Sequence, residues 1–130
     1  MSDSQRHVEC TIPVLPVRDL LRSIEFYTAT LGFQLDWGGQ PGSKVCSVSR
    51  DSCAIMLSQD FQNAGGTWVW IGVADDSLFQ DYRSRGVKVR QKAANYTWAY
   101  EMKFEDIDGN ILWLGTEPRK DLPLIDLRAD

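Results

Sequence analysis

Tryptophan is the residue type most able to do chemistry in this chain: Trp37, Trp68, Trp70, Trp98 and Trp113 give five indoles in 130 residues, several times the usual rate. A flat indole offers a large apolar face with one donor at its edge, so facing indoles can hold a planar heteroaromatic by stacking and dispersion. At ~200 Å² buried per aromatic and about 25 cal/mol per Å², such contacts bring micromolar binding within reach after the cost of association is subtracted. The usual carriers of covalent and metal chemistry are scarce. The single histidine, His7, lies in a polar N-terminal arm, which leaves no material for a histidine-based acid-base or metal site. Cys10, Cys46 and Cys53 are odd in number and lack CxxC spacing, so neither a disulfide framework nor a zinc site is expected, and the three are read as small buried apolar residues. No nucleophile has a neighbouring base, so covalent catalysis is not expected. Asp106 and Asp108 fall in the turn DIDGN, where Asp and Gly serve backbone geometry. Glu101 could meet a cationic group, but the commoner arrangement is a solvated carboxylate at a strand edge.

Composition narrows the partners. A net charge of -4 with a pI near 4.9 opposes a nucleic-acid backbone and modestly favours a cationic partner. No apolar run approaches the roughly 20 residues of a membrane span, and MSDSQRHVE holds no apolar stretch of signal-peptide length, so a cytoplasmic location is expected. The length is that of a single domain, residues 1–130.

The elements that must position the indoles follow from periodicity. Cys10 to Val17 reads as an edge strand, because Pro13 and Pro16 each remove a ladder donor. Asp19 stands at a helix N-cap, Leu20, Leu21, Ile24, Tyr27, Ala29 and Leu31 follow with helical spacing, and Gly32 is the stop. Phe33 to Trp37 is a strand; Val45 to Ser49 and Cys53 to Ser58 form a hairpin about Arg50, Asp51 and Ser52. A polar loop, Gln59 to Gly66, precedes a second round: strand Thr67 to Val73, a helix capped by Asp75 or Asp76 with Leu78, Phe79 and Tyr82 inward, a stop at Gly86, then strands Val87 to Arg90, Tyr100 to Phe104 and Ile111 to Leu114. The order is βαβββ twice, with Gly32 matching Gly86 and Asp51 matching Asp108. Module one covers about 10–58 and module two about 67–117. Alternation puts Trp68 and Trp70 on one face at different heights. Beyond Pro118 the tail carries Leu122, Leu124, Ile125 and Leu127, which pack on the body or on a partner subunit, or fray.

VRDLLRSIEFYTATLGFQLD resembles the opening strand-helix-strand of the vicinal-oxygen-chelate (glyoxalase/bleomycin resistance/dioxygenase) superfamily, and DIDGNILWLG resembles its closing DPDGN turn and strand. The resemblance runs from Thr11 to Glu117. It implies an α+β fold in which two βαβββ modules form an open half-barrel around a groove. Many members are metalloenzymes with His, Gln or Glu at four groove-facing positions; here those positions fall on Ile12, Met56, Trp68 and Trp113, so the resemblance implies no metal and no cofactor. Within the superfamily the likeness is to bleomycin resistance proteins: TWVWIGV resembles their LAWVWV strand, NYTWAYEMKFEDIDGN their PWGxxEFxxxDPxGN region, and IPVLPVRDL their xVPVLxxRDx. It implies Trp68 and Trp98 as the paired groove tryptophans, Trp37 as a further groove aromatic, Ser58 as a groove polar residue, and Trp113 in the groove at a vacated metal position. It also implies a homodimer that exchanges the N-terminal strand, and non-catalytic sequestration of a planar, cationic, bleomycin-type ligand. Ile107 replaces the usual turn proline, and Trp113 replaces a smaller side chain, which narrows the groove. The alternatives are a metal-dependent enzyme with non-standard ligands and a metabolite-binding module without a resistance role.

Overall fold

Asp19 begins the first helix from an extended backbone, its side chain accepting from the Arg22 amide at 3.3 Å and so satisfying one of the donors a first turn leaves open. In the computed structural model, which describes residues 7–59 and 65–125, α1 runs Leu20–Glu25 and continues as a wider π-helical turn over Phe26–Thr30. Thr28 Oγ1 donates back to the Ile24 carbonyl at 2.7 Å, a side-chain intrusion of the kind that loosens a helical ladder. Gly32, at φ +79°, ends the element as expected.

Strands β1 (Val14–Pro16), β2 (Gln34–Gly38), β3 (Val45–Arg50) and β4 (Cys53–Ser58) form one sheet in the order β1-β4-β3-β2. After α2 (Ser77–Ser84) is set aside, β5 (Trp68–Gly72), β6 (Lys88–Asn95), β7 (Tyr100–Glu105) and β8 (Ile111–Thr116) form the other, in the order β5-β8-β7-β6. In each sheet the first strand lies parallel to the last and the other neighbours are antiparallel. The repeated βαβββ order of an α+β fold is thus present, and neither sheet closes into a barrel. The N-terminal segment is an edge strand, but only Val14–Pro16 pairs. Asp51 and Ser52 both take positive φ (50° and 66°), the backbone a two-residue hairpin turn of matching twist needs. β6 runs five residues past the predicted Arg90, through two register shifts that erase any alternation. At α2 the predicted capping is split: Asp76 holds the cap position without a side-chain bond, and Asp75 accepts from the Ser77 amide at 2.9 Å.

One face of each sheet joins a single core. Leu15, Val48, Ile55 and Leu57 from the first sheet meet Met102, Phe104, Leu112 and Leu114 from the second, with Leu20, Tyr27, Phe79 and Tyr82 between them. The modules are also tied by polar groups at one turn. Buried Asp108 accepts from the Arg18 amide at 2.9 Å and guanidinium at 3.1 Å and from Ser23 Oγ at 3.0 Å. Buried Asp106 accepts from Tyr27 Oη at 2.7 Å and from Asn110 Nδ2 and two turn amides. Tyr82 Oη donates to the Leu31 carbonyl at 2.7 Å. The cysteine expectation is corrected in part: Cys46 is buried, whereas Cys10 and Cys53 are exposed, because Cys10 lies ahead of β1 and Cys53 opens β4 beside the β3–β4 turn. The tail does pack on the body: the Asn95 side chain bonds Arg119 and Leu122, and Ile125 bridges Tyr96. Leu127 lies outside the described residues.

The two buried phenols give a pH prediction. Burial, then the Asp106 carboxylate, holds Tyr27 well above the usual tyrosine value, and burial pushes Tyr82 up to about 12 against a smaller lowering by Arg50. A phenol with a raised folded-state pKa contributes fully below its unfolded value of 10.0 and loses that contribution as pH rises through the folded one. The urea midpoint is expected to fall between pH of about 10 and about 12, more steeply than in Tyr27→Phe, which itself loses about 1 to 2 kcal/mol at neutral pH. Equal slopes in the two proteins would contradict this.

Candidate functional site

On β5, alternation sends Val69 and Ile71 to the core and Trp68 and Trp70 to the opposite, outer face. Strand register carries that face across the sheet. Trp70 pairs with Trp113 of β8, Trp113 with Lys103 of β7, and Lys103 with Gln91 of β6, so these four make one transverse row. The next row reads Gly72, Gly115, Glu101 and Ala94. Trp68 and Trp70 stay 50% and 49% exposed, while Leu112 and Leu114, on the other side of the same sheet, are sealed in the core.

Trp113 organises the face. Its ring meets Trp68 edge to face at 5.9 Å and Trp70 at 5.3 Å, both at 81°. The Lys103 ammonium lies 4.9 Å from the Trp113 ring centre and 6.0 Å from that of Trp68, within range of cation–π attraction. Lys103 also donates to Gln91 Oε1 at 2.6 Å and to Glu101 Oε2 at 2.9 Å. Glu101 is 1% exposed, and its other oxygen accepts from Trp98 Nε1 at 3.0 Å. The expectation of a solvated Glu101 is therefore corrected: β7 is an interior strand, and a carboxylate buried there is tolerated because both its oxygens are bonded and a cation is adjacent. Trp98 stacks flat on Tyr96, at 4.6 Å and 3°, and remains 56% exposed. Trp70 lies against Gly115, where a Cβ would overlap its six-membered ring.

The predicted residues are thus divided between two sheets. Trp68, Trp98 and Trp113 come together on the second sheet, linked through Lys103 and Glu101. Trp37 belongs to the outer face of the first, in a row with Ser47, Met56 and Val14, and Ser58, two residues beyond Met56, shares that face. Asp36 sits at the adjoining bulge and accepts from Ser47 Oγ at 3.1 Å and Ser49 Oγ at 2.8 Å. Among the described residues no ring contact joins Trp37 to the other indoles. Lys103, Gln91 and Tyr96 are not singled out from sequence, and Trp70 is placed beside Trp68 but not assigned to the site. For Trp70 the signal was present, since it alternates with Trp68; for Lys103, alternation with Glu101 in YEMKF would have served; for Gln91 the bulges of β6 hide the register.

Met56 pairs with Val14 and Trp113 with Trp70, so Ile12 and Trp68, two residues earlier, occupy matching places in the two modules. Two indoles, a thioether and an alkyl group at these four positions do not fit a metal that requires imidazole, carboxylate or thiolate donors. Among the described residues no group of three or more His, Cys, Asp or Glu is gathered. A separate cleft of about 720 Å³ runs along the free edge of β5, between Cys10–Pro13, the β3–β4 turn and α2, and touches the indole face at Trp70 and Gly72. Its walls mix apolar side chains with the polar and charged Thr11, Arg50, Asp51, Ser52, Asp75 and Ser77.

The sequence profile of the Glyoxalase/Bleomycin resistance protein/Dioxygenase superfamily matches residues 5–114. The chain belongs to that superfamily. No curated protein sequence matches the chain significantly. Among solved structures, this superfamily member is similar to TnmS3, an antibiotic binding protein from Streptomyces sp. CB03234, with 23% identity and a TM-score of 0.73 over 88% of this chain and 100% of that one. The bleomycin-binding protein from bleomycin-producing Streptomyces verticillus, complexed with copper(II)-bleomycin, is similar at 24% identity and a TM-score of 0.72, over 88% and 99%. A glyoxalase/bleomycin resistance protein from Streptomyces sp. CB03234 is similar at 26% identity and a TM-score of 0.69, over 80% and 96%. The first two likenesses, at such low identity, establish the fold.

The contact of Trp70 with Gly115 gives a direct test of the face. Gly115→Val is expected to displace the Trp70 ring, changing near-ultraviolet circular dichroism while leaving the far-ultraviolet spectrum intact, at a cost of about 1 to 3 kcal/mol. An unchanged near-ultraviolet spectrum would show that the ring does not lie where described.

Proposed function

We propose that this superfamily member binds and sequesters a small planar organic molecule of the bleomycin glycopeptide type, without transforming it, in an indole-lined groove. The observation that carries the reading is the outer face of the second sheet, where Trp68, Trp70, Trp98 and Trp113 cluster around a bonded Lys103 and Glu101 and the first two are half exposed. Leaving so much aromatic surface in water is costly unless something covers it. Trp68, Trp98 and Trp113 are assigned as ligand contacts from this sheet, with Trp37 and Ser58 as contacts from the first. Because those two sets stand on outward faces of different sheets, the groove is completed in a homodimer, the first sheet of one copy facing the second sheet of the other. Each copy acts as one domain in the cytoplasm, and the shared core of the two modules supports that unity. Asp36, on the first-sheet face, supplies the negative charge for a cationic tail on the ligand.

Titration with bleomycin, followed by tryptophan fluorescence and calorimetry, tests the proposal. The expected result is quenching with a Kd in the micromolar range, about -8 kcal/mol, and a loss of about 2 kcal/mol on truncating either Trp68 or Trp98 to alanine. The protein should also elute at twice its 14.7 kDa chain mass. No heat and no quenching with bleomycin or other planar cations would count against the reading.

A further inference from the structure

The polar groups beneath the indoles do not balance. In the row Trp113, Lys103, Gln91, two side-chain donors, Trp113 Nε1 and Gln91 Nε2, are sealed from solvent without an acceptor. The side-chain acceptors beside them are directed to other donors: Gln91 Oε1 takes Lys103, and the two Glu101 oxygens take Trp98 and Lys103. The Gln91 amide cannot be turned to relieve this, because turning it would set its NH2 group against the Lys103 ammonium at 2.6 Å. Lys103 itself carries three N–H donors and spends two on those partners. Buried donors in native structures almost always find an acceptor, and those that do not call for one. Here the shortfall is all of one kind, and it flanks a cation.

We infer that this row is an acceptor-binding subsite, which takes a carbonyl or carboxylate oxygen carried on the edge of a planar aromatic ligand. The inference rests on the proposed binding of a planar molecule and adds its chemical class. Trp113 Nε1–H, the Gln91 amide N–H groups and the third Lys103 N–H supply the donors, and Trp68 and Trp70, half exposed and edge-on to Trp113, are the side chains that move to admit the ring. The charge of the ligand's distant tail is indifferent to this subsite; a cation at the ring edge is not, because it would meet Lys103.

The test uses the full chain and three naphthalenes substituted at the same ring position: naphthoate, naphthamide and (aminomethyl)naphthalene, titrated by calorimetry with tryptophan fluorescence as a second readout. Naphthoate and naphthamide are expected to bind at least roughly tenfold more tightly than the amine, the range a hydrogen bond to a buried charged or otherwise unpaired donor supports. Gln91→Met and Lys103→Met should each shrink that preference while both variants keep the wild-type far-ultraviolet spectrum. Equal or tighter binding of the amine to the wild-type chain overturns the subsite and leaves the planar-ligand reading standing, as does a preference that survives both substitutions. Absence of binding and quenching with all three removes the planar-ligand reading and the subsite with it.

Discussion

Two buried carboxylates hold the two modules in place. Asp106 and Asp108 lie in one turn of the second module, yet most of what they bond on the other side belongs to the first: Tyr27, Ser23 and Arg18, with Asn110 from the same turn reaching the Pro16 carbonyl at 2.9 Å. Charges are tolerated inside a protein only where such bonds satisfy them, and losing one partner leaves the rest uncompensated. With α1 clamped to that turn, the helix-bearing face of each sheet must contribute to the same core. The opposite faces are then directed outward by the two-residue alternation of every strand.

That constraint explains why the indoles are where they are. Trp68, Trp70 and Trp113 cannot reach the core without moving Val69, Ile71, Leu112 and Leu114 out of it. They cover one another instead, edge to face, and an ion pair of partly buried Lys103 and buried Glu101 is inserted among them with Trp98 as its third partner. An all-apolar patch of this size would favour unselective association; the ion pair makes the face amphipathic and gives it orientation. Ile12, Met56, Trp68 and Trp113, where the sequence resemblance implies a metal site in other members, carry an alkyl group, a thioether and two indoles, none of them a usual metal ligand.

Much of this was legible from the residues alone. The doubled βαβββ order, the Asp19 cap, the Gly32 stop and the shared face of Trp68 and Trp70 all follow from local signals, and the structure contains each. Long-range pairing was not legible. That Gln91 stands beside Lys103 depends on two register shifts in β6, and that Glu101 is buried depends on which strand becomes interior, neither of which a single strand's pattern records. The division of the indoles between two sheets was hidden for the same reason: Trp37 and Trp68 look alike in sequence, and only strand order separates them. The assignment to backbone geometry is met by Asp106, which accepts from two turn amides, whereas the Asp108 carboxylate bonds Arg18 and Ser23 of the other module, and such contacts, some 80 to 90 residues apart along the chain, leave no local signal.

If the four indoles of the second sheet act as one ligand-binding surface, a ligand must perturb them jointly. The five indole N–H signals of nitrogen-labelled protein, assigned by single substitution, can be followed as a planar aromatic ligand is added. Trp68, Trp70, Trp98 and Trp113 are expected to shift together along one saturation curve. Shifts confined to a residue outside that set, or four signals that stay still while ligand binds, would contradict a single surface.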